Sequence, residues 1–219
     1  FIMLSMTLYL IGLGLWDEKD ISVKGLEKAR SCDKIFLEEY TSKLFGTTKE
    51  KIELLIGKPI KLLQRTEVEG NKILLESAKT KDTALLVGGD PLTATTHSDI
   101  LLDARKQGIA TKIIHSSSIF TALCESGLFI YKFGKSCSIP FPTENFNPTS
   151  FYDTIVENQN RGLHTAVFLD LKPEENRFMT INQALETLVK LGLKKEAIAV
   201  GFARMGSDNQ IIKAGNIEE

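Results

Sequence analysis

Residues 9–22, YLIGLGLWDEKDIS, begin as an apolar run, pass through Gly12 and Gly14, and turn acidic before a helical pattern starts. A continuous apolar run closed by glycines is typical of a buried parallel strand. The runs KIFLEEY, TALLVGGD and TKIIHSS repeat this pattern, and helical periods separate them. The alternation predicts an α/β fold around a mainly parallel sheet.

Helical periods occur in both halves of the chain. The first has Asp20 or Ser22 as its expected N-cap, and Gly57 with Pro59 ends the second. The predicted helices cover residues 21–31, 47–56, 68–79, 95–107, 118–125, 150–161 and 180–191. Further strands are expected at PIKLL, YKFGKSCSIPFP, HTAVFLDL, AIAVGFAR and NQIIKAGNIEE, with loops at PTENFNPTS and KPEENR.

The pattern of elements changes near Ser117, which indicates a domain boundary. We predict an N-terminal α/β domain over residues 1–117 and a C-terminal α/β domain over residues 118–219, with its last strands beyond Glu219. Within the second of these domains, PTENFNPTS carries two prolines and several turn-forming residues. This loop is a candidate docking segment for a substrate or a solvated linker.

The composition is that of an ordinary globular protein. The chain has 219 residues, of which 42% are hydrophobic and 25% charged, with a formal net charge of -1. Neither a basic excess for nucleic acid nor an apolar run of about 20 residues for a membrane is present. Residues 1–15 lack a basic region and a cleavage site, so we expect a short leader and a first strand rather than a signal peptide.

The cysteines and histidines give no framework for a disulfide or a metal. Cys32, Cys124 and Cys137 are odd in number and lack CxxC spacing, so we expect buried small hydrophobes in a reducing cytosol. The histidines, at positions 97, 115 and 164, lie far apart in the sequence. We therefore predict no metal site.

Two familiar nucleotide motifs fail on inspection. The dinucleotide fingerprint GxGxxG fits Gly12 and Gly14, but its third position is Asp17, whose carboxylate would repel a pyrophosphate. Glu38 and Glu39 end KIFLEEY near where a ribose ligand would be needed, which leaves only a weak match to NAD binding. The GKS triplet at residues 134–136 lacks the earlier glycine of a phosphate loop, so we interpret it as a turn.

Three strand ends carry the residues that a ligand site needs. They are residues 12–15 (GLGL), 88–93 (GGDPLT) and 115–119 (HSSSI). In open α/β sheets, ligands bind beyond the carboxyl ends of the strands, and glycines there allow a close approach to the backbone. Asp90, which precedes a proline, is either a ligand-binding carboxylate or a turn former.

Seven segments of the chain resemble segments of the diphthine synthase family and occur in the same order. They are YLIGLGLWDEKDISVKGLE, FLEEYTS, GGDPLTATTHSDILLDA, IIHSSSIFTA, GLFIYKFGKS, GLHTAVFLDLK and GFARMGSDNQIIKAG. That family belongs to the wider tetrapyrrole methylase group. The resemblance covers residues 8 to about 215, and GDPLTATTHSD and YKFGKS are its most discriminating parts. It implies two α/β domains of the tetrapyrrole methylase type, with S-adenosyl-L-methionine in the cleft between them.

The resemblance also implies the residues that contact the cofactor. Asp90 would meet a polar or cationic part of the cofactor, Ser118 would hydrogen-bond its polar atoms, and apolar side chains would form the walls. The implied contacts are Leu15, Asp90, Thr93, Ser118, Ile119, Leu169 and Met205. The family has a further histidine contact in a PLH-type segment, and the chain ends at Glu219 before any such segment. For each apolar position a plain core role is the alternative.

The reaction implied by the resemblance is repeated methylation of a modified histidine on translation elongation factor 2, with S-adenosyl-L-homocysteine as the product. The acceptor is the amino group of its 3-amino-3-carboxypropyl substituent, and the step belongs to diphthamide biosynthesis. The segment from FLDLK through PEENRFMTINQA has no long insertion, which is more similar to the archaeal type. A homodimer in the cytoplasm is expected, and no general base is identified, with His97 and His115 candidates by residue type alone.

Other functions are compatible with parts of the pattern. A methylase of the same group could act on a tetrapyrrole or on ribosomal RNA ribose, although the near-neutral charge disfavours RNA. A non-catalytic nucleotide-binding module would bind the ligand without methyl transfer. A purely structural α/β protein would leave the glycines and Asp90 at the strand ends unexplained.

Overall fold

The computed structural model describes residues 6–144 and 147–217. The expected leader and two positions of the predicted loop, Asn145 and Phe146, lie outside these residues, as does the end of the tail. The chain forms two compact units. The first contains the described residues up to Ala122 together with Arg204–Asn209, and the second contains Leu123–Ala203 and the residues from Gln210 onward.

The first unit is built on a five-stranded sheet in which every pairing is parallel, in the order β3-β2-β4-β1-β5. Its strands are β1 (Thr7–Gly12), β2 (Lys34–Glu38), β3 (Lys61–Leu63), β4 (Thr83–Val87) and β5 (Ala110–Ile114). In the register, Ile11 of β1 lies beside Leu86 of β4 and Ile114 of β5. The parallel arrangement brings the carboxyl ends of all five strands to one edge.

Helices cover both faces of this sheet, which explains why its central strands are continuously apolar. They are α1 (Val23–Ser31), α2 (Lys49–Ile56), α3 (Arg65–Glu69), α4 (Lys72–Ala78), α5 (Ser98–Lys106) and α6 (Ile119–Ala122). Ile11 belongs to the core cluster that contains Ile52 of α2, whereas Leu10 belongs to the cluster that contains Leu74 of α4. The predicted α/β fold class is therefore confirmed for this unit.

Two predicted helices differ from the observed ones. The helix expected over residues 68–79 is split into α3 and α4 because Asn71 adopts a left-handed conformation with φ of 42°. The helix expected over residues 118–125 is a single α-turn, α6, followed by a 3-10 turn over Leu123–Ser126. Ser22, rather than Asp20, caps α1 by accepting a hydrogen bond from the Gly25 amide.

The second unit contains small sheets and two helices. Its strands are β6 (Cys137–Ile139), β7 (Val167–Leu169), β8 (Leu171–Lys172), β9 (Arg177–Phe178), β10 (Ile198–Ala203) and β11 (Ile211–Asn216), and its helices are α7 (Ser150–Asn160) and α8 (Ile181–Lys190). The β6 and β7 pair is parallel, whereas β8 with β9 and β10 with β11 are antiparallel. The predicted loop KPEENR forms the turn of a short hairpin, in which Lys172 ends β8 and Arg177 begins β9. The predicted strand HTAVFLDL is interrupted at Asp170.

The GKS triplet leads into β6 and does not form the helix entrance that a phosphate loop needs. Gly134 lies so close to the buried Asn158 that a Cβ atom there would come within 2.1 Å of the Asn158 side-chain oxygen. The Asn158 amide nitrogen donates to the carbonyl of Lys135 and to the Thr165 hydroxyl, both at 2.8 Å. This glycine is therefore explained by packing against α7.

The division after Ala122 places Ser118 and Ile119 in the first unit. The boundary at residues 117 and 118 stays a prediction. Among the described residues, no helix is both long and apolar enough to cross a membrane.

Candidate active site

The ends of β1, β4 and β5 are held together by their backbones at the carboxyl edge of the sheet. The Gly89 amide donates to the carbonyl of Gly14 at 2.7 Å, and the Gly14 amide donates back to Gly89 at 3.3 Å. A Cβ atom on Gly12 would lie 2.5 Å from the Gly89 carbonyl oxygen and 2.7 Å from the Ser116 Cβ. Gly12 is therefore needed because three chain segments converge on it.

The amides that follow Gly14 are occupied by a carboxylate of the same loop. Asp20 Oδ2 accepts hydrogen bonds from the amides of Leu15 at 3.2 Å, Trp16 at 2.6 Å and Asp17 at 3.4 Å. Amides gathered in this way are the usual cradle for a phosphate, but here the protein supplies the anion itself. The rejection of a pyrophosphate ligand thus rests on Asp20, while Asp17 caps the following 3-10 turn through the Lys19 amide.

We expect Asp20→Ala to lower the free energy of unfolding by about 1–2 kcal/mol, because three loop amides lose their acceptor. Urea denaturation of the purified variant measures this change. Asp17→Ala is the matched control, since its side chain accepts from the Lys19 amide at an exposed position, and we expect a smaller loss. Equal losses for the two variants would contradict the role given to Asp20.

Asp90 ties the end of β4 to the end of β5. Its Oδ1 accepts from the Leu92 amide at 3.0 Å and the Thr93 hydroxyl at 3.3 Å, and its Oδ2 accepts from His115 Nδ1 at 2.8 Å and the Ser116 amide at 3.2 Å. Burial alone would raise the pKa of Asp90, but the hydrogen bonds outweigh it and hold the pKa below its usual value. Asp90 is therefore ionised at neutral pH and has a structural role within the site.

The predicted contacts Ser118 and Ile119 lie at the start of α6. Ser118 is buried, and its amide donates to the Thr121 hydroxyl at 3.1 Å. That hydroxyl donates in turn to the Ser118 carbonyl at 2.7 Å. Thr121 thus shapes the turn that presents Ser118 and Ile119.

Met205 and Leu15 also belong to the first unit, although Met205 lies far along the chain. Met205 is buried, and the next residue, Gly206, packs against Leu15 so closely that a Cβ atom there would lie 2.9 Å from the Leu15 Cβ. Leu169, by contrast, lies on β7 in the second unit and packs against the core of that unit. Its role as a cofactor contact stays a prediction.

Sequence reasoning missed Asp20, Ser116 and Thr121 as residues that shape the site. The signal that could have revealed Asp20 is the acidic stretch directly after the Gly-x-Gly turn, in which the pattern indicates Asp17 as a barrier to phosphate and Asp20 as no more than a helix cap. Ser116 and Thr121 flank Ser118 in a polar segment, where nothing in the sequence separates a ligand contact from a structural one.

The two candidate histidines lie in different environments. His115 has a 69% exposed side chain and donates to Asp90, whereas His97 is fully buried and donates through Nδ1 to the Pro91 carbonyl at 2.9 Å. Glu38, the possible ribose ligand, is also fully buried and accepts hydrogen bonds from the Tyr40 and Thr41 amides. Neither His97 nor Glu38 is available to a ligand at the surface.

The cysteines are only partly as predicted. Cys32 is buried and Cys137 half-buried, and desolvation raises the pKa of each thiol to about 11. Cys124 is exposed, so the prediction that it is buried is wrong. In the part of the chain that the structure describes, no group of three or more metal-binding side chains comes together.

Comparison with known proteins identifies the family. Residues 7–219 match the tetrapyrrole (corrin/porphyrin) methylases, a class of methyltransferases. The diphthine synthase of Methanothermobacter thermautotrophicus is 45% identical over 218 residues, which cover 96% of this chain and 83% of that protein. The diphthine synthase of Methanocaldococcus jannaschii is 47% identical over 222 residues, which cover 97% and 86%.

A solved structure agrees with these relatives. The crystal structure of a diphthine synthase superimposes with a TM-score of 0.89 at 43% identity, covering 97% of this chain and 82% of that one. The chain therefore belongs to the diphthine synthases of the tetrapyrrole methylase family. Members of this family are S-adenosyl-L-methionine-dependent methyltransferases of diphthamide biosynthesis, and the predicted fold class and enzyme class are confirmed.

Proposed function

We propose that the carboxyl edge of the first unit binds S-adenosyl-L-methionine, and that the chain uses it to methylate a modified histidine of elongation factor 2. The observation that carries this proposal is the Gly12 to Asp20 loop, whose glycines bring the backbone to the edge while the Asp20 carboxylate occupies the loop amides. A site of this kind excludes a pyrophosphate and leaves room for a cofactor that contains no phosphate. Membership in the diphthine synthases gives the reaction.

Six of the seven predicted contacts belong to the unit that carries this edge. Leu15 and Ile119 would supply apolar walls, Ser118 and the neighbouring backbone would offer hydrogen bonds, and Asp90 with Thr93 would fix the loop after β4. Met205 lies beside the segment that packs on Leu15. When bound, the cofactor supplies an electrophilic methyl group on a sulfonium centre.

The acceptor is the amino group of the 3-amino-3-carboxypropyl substituent. The uncharged amine forms a bond to the methyl carbon, the carbon–sulfur bond breaks, and its electron pair remains on the sulfur of S-adenosyl-L-homocysteine. The methylated amine must lose its proton before it accepts another methyl group. The protein's contribution is orientation of the two reactants and exclusion of water, and well-oriented partners recover roughly 7–11 kcal/mol of barrier.

The setting of the reaction is part of the same proposal. The protein substrate is translation elongation factor 2, the enzyme acts as a homodimer, and the reaction takes place in the cytoplasm. The absence of a long insertion after β7 favours the archaeal product, the trimethylated amine diphthine.

A mass-spectrometric transfer assay tests the proposal. Elongation factor 2 that carries the unmethylated precursor is incubated with the protein and S-adenosyl-L-methionine, and the modified histidine peptide is weighed. We expect three added methyl groups on the amino nitrogen, and none when the cofactor is omitted. Cofactor binding without transfer would point to a different methyl acceptor, and failure of binding by isothermal titration calorimetry would overturn the assignment of the site.

A further inference from the structure

Glu38 and His97 form a buried pair of ionisable side chains that the methyl transfer itself does not use. Their side chains are 0% and 1% exposed, and His97 Nε2 lies 3.8 Å from Glu38 Oε1. Glu38 ends β2, where it is in register with Val87 of β4, and His97 immediately precedes α5. Glu38 therefore lies beside the end of β4, directly before residues 88–91, and His97 follows those residues in the chain.

The hydrogen bonds of His97 settle the position of one of its protons. The Pro91 carbonyl can only accept, so Nδ1 carries the hydrogen of the 2.9 Å bond between them. Nε2 is then directed toward Glu38, and it has no hydrogen-bond partner among the described residues. Burial raises the pKa of Glu38, and its hydrogen bonds from Thr41 and Tyr40 together with the nearby His97 oppose that rise.

Glu38 also supports residues 88–91 indirectly, through the segment that follows β2. Its Oε2 accepts from the amides of Tyr40 at 3.0 Å and Thr41 at 3.1 Å, and the Thr41 hydroxyl donates to Oε1. The segment held in this way continues to Ser42, whose carbonyl oxygen would lie 2.8 Å from a Cβ atom on Gly88. The backbone at Gly88 is thus supported from the side of β2.

His97 supports the same segment at its other end, at Pro91. Its ring holds the Pro91 carbonyl together with the Thr95 hydroxyl, which donates to the same oxygen at 2.9 Å. Asp90 lies between Gly88 and Pro91, and Gly89 is the residue paired with Gly14. Contacts traced to Glu38 and His97 therefore hold both ends of residues 88–91, the segment after β4 that we propose meets the cofactor.

We propose that Glu38 and His97 are positioning residues, which hold residues 88–91 in the geometry that cofactor binding needs. Both side chains are enclosed by protein, so they act through the loop rather than by touching the cofactor or the acceptor. The proposal rests on the proposed function of this edge. It assigns a role to the histidine of GDPLTATTHSD and to the first of the two glutamates in FLEEYTS.

Two substitutions of His97 distinguish the roles of its two ring nitrogens. The amide nitrogen of Asn reproduces the Nδ1 donor, whereas the amide of Gln reproduces the Nε2 side. We expect His97→Gln to raise the dissociation constant of S-adenosyl-L-homocysteine about tenfold, because it loses the bond to Pro91, and His97→Asn to raise it by less than about threefold. Isothermal titration calorimetry on the full chain measures both, and thermal unfolding is recorded alongside.

Glu38 gives an independent arm of the same experiment. Glu38→Gln retains an oxygen for the Tyr40 and Thr41 amides and a donor directed toward His97, so we expect binding within about threefold of the wild type. Glu38→Ala removes both and should weaken binding about tenfold. Asp82→Ala is the control, because it removes the acceptor of the Thr7 amide at the start of β1, at the opposite edge of the sheet.

The outcomes distinguish positioning from a merely structural role. Positioning is supported when His97→Gln and Glu38→Ala weaken cofactor binding while Asp82→Ala lowers the melting temperature without weakening that binding. The inference is overturned when His97→Gln and His97→Asn weaken binding equally, or when affinity in all variants only follows the loss of melting temperature. A wild-type protein that binds no S-adenosyl-L-homocysteine would instead remove the proposed function on which the inference rests.

Discussion

Gly12→Val should abolish detectable cofactor binding and lower the free energy of unfolding by about 3 kcal/mol. The cause is steric, since even a Cβ atom at this position would lie 2.5 Å from the carbonyl oxygen of Gly89 and 3.1 Å from the Pro91 Cδ. Neither atom belongs to a flexible side chain that could move away. The ends of β1 and β4 must therefore separate, which displaces Asp90.

Calorimetric titration with S-adenosyl-L-homocysteine and urea denaturation measure the two effects of Gly12→Val. Gly57→Ala is a suitable control because it strains a left-handed residue with φ of 80° at the end of α2, where no atom lies within 4 Å of the new Cβ. We expect it to cost about 1 kcal/mol and to leave cofactor affinity unchanged. Normal binding by Gly12→Val would show that this edge tolerates separation and does not form the site.

Asp90→Ala should weaken cofactor binding at least about tenfold and destabilise the first unit by about 2–4 kcal/mol. The substitution leaves the donors of Leu92, Thr93, His115 and Ser116 without their shared acceptor. The bonds from Leu92 and Thr93 hold the turn after β4, and those from His115 and Ser116 join it to the end of β5, so their loss releases both loops that carry predicted contacts. Binding and unfolding are measured as for Gly12, and unchanged affinity would remove Asp90 from the site.

The lowered pKa of Asp90 gives this prediction a pH signature. A carboxylate whose folded pKa is depressed stabilises the fold above its ordinary pKa, and its contribution is lost as the pH falls through the depressed value. The wild type should therefore lose more stability on acidification than Asp90→Asn, which has no charge to titrate at this position. Parallel stability curves for the two proteins between neutral pH and pH 3 would contradict the assigned hydrogen bonds.

The first unit was predictable because parallel strands that are covered on both faces leave a strong apolar signal. TALLV and TLYLIG are buried throughout, as their sequences indicate. The break between α3 and α4 was not predictable, because it depends on a left-handed Asn71 whose side chain donates to Asp103 on α5. The interruption at Asp170 has a similar cause, since its carboxylate accepts from the amide of Phe141, a residue distant in the sequence.

For the candidate site too, some features were predictable from the sequence and others were not. Glycines and Asp90 at strand ends are visible in a sequence because their residue types are unusual for a strand or for a helix start. The link between Asp90 and His115, and the burial of Glu38 beside His97, depend on which strands are neighbours in the sheet. That order, β2-β4-β1-β5, cannot be obtained from apolar patterns alone.

The segment Arg204–Asn209 belongs to the first unit although it lies between two strands of the second. During translation, the five strands of the sheet have all been made once Ala122 has been added, but Gly206 can reach Leu15 only after residues 123–205 have also been made. Loop-closure entropy opposes so distant a contact more than it opposes the pairing of successive strands. The wall beside Leu15 should therefore form in one of the last steps of folding, after the sheet on which it rests.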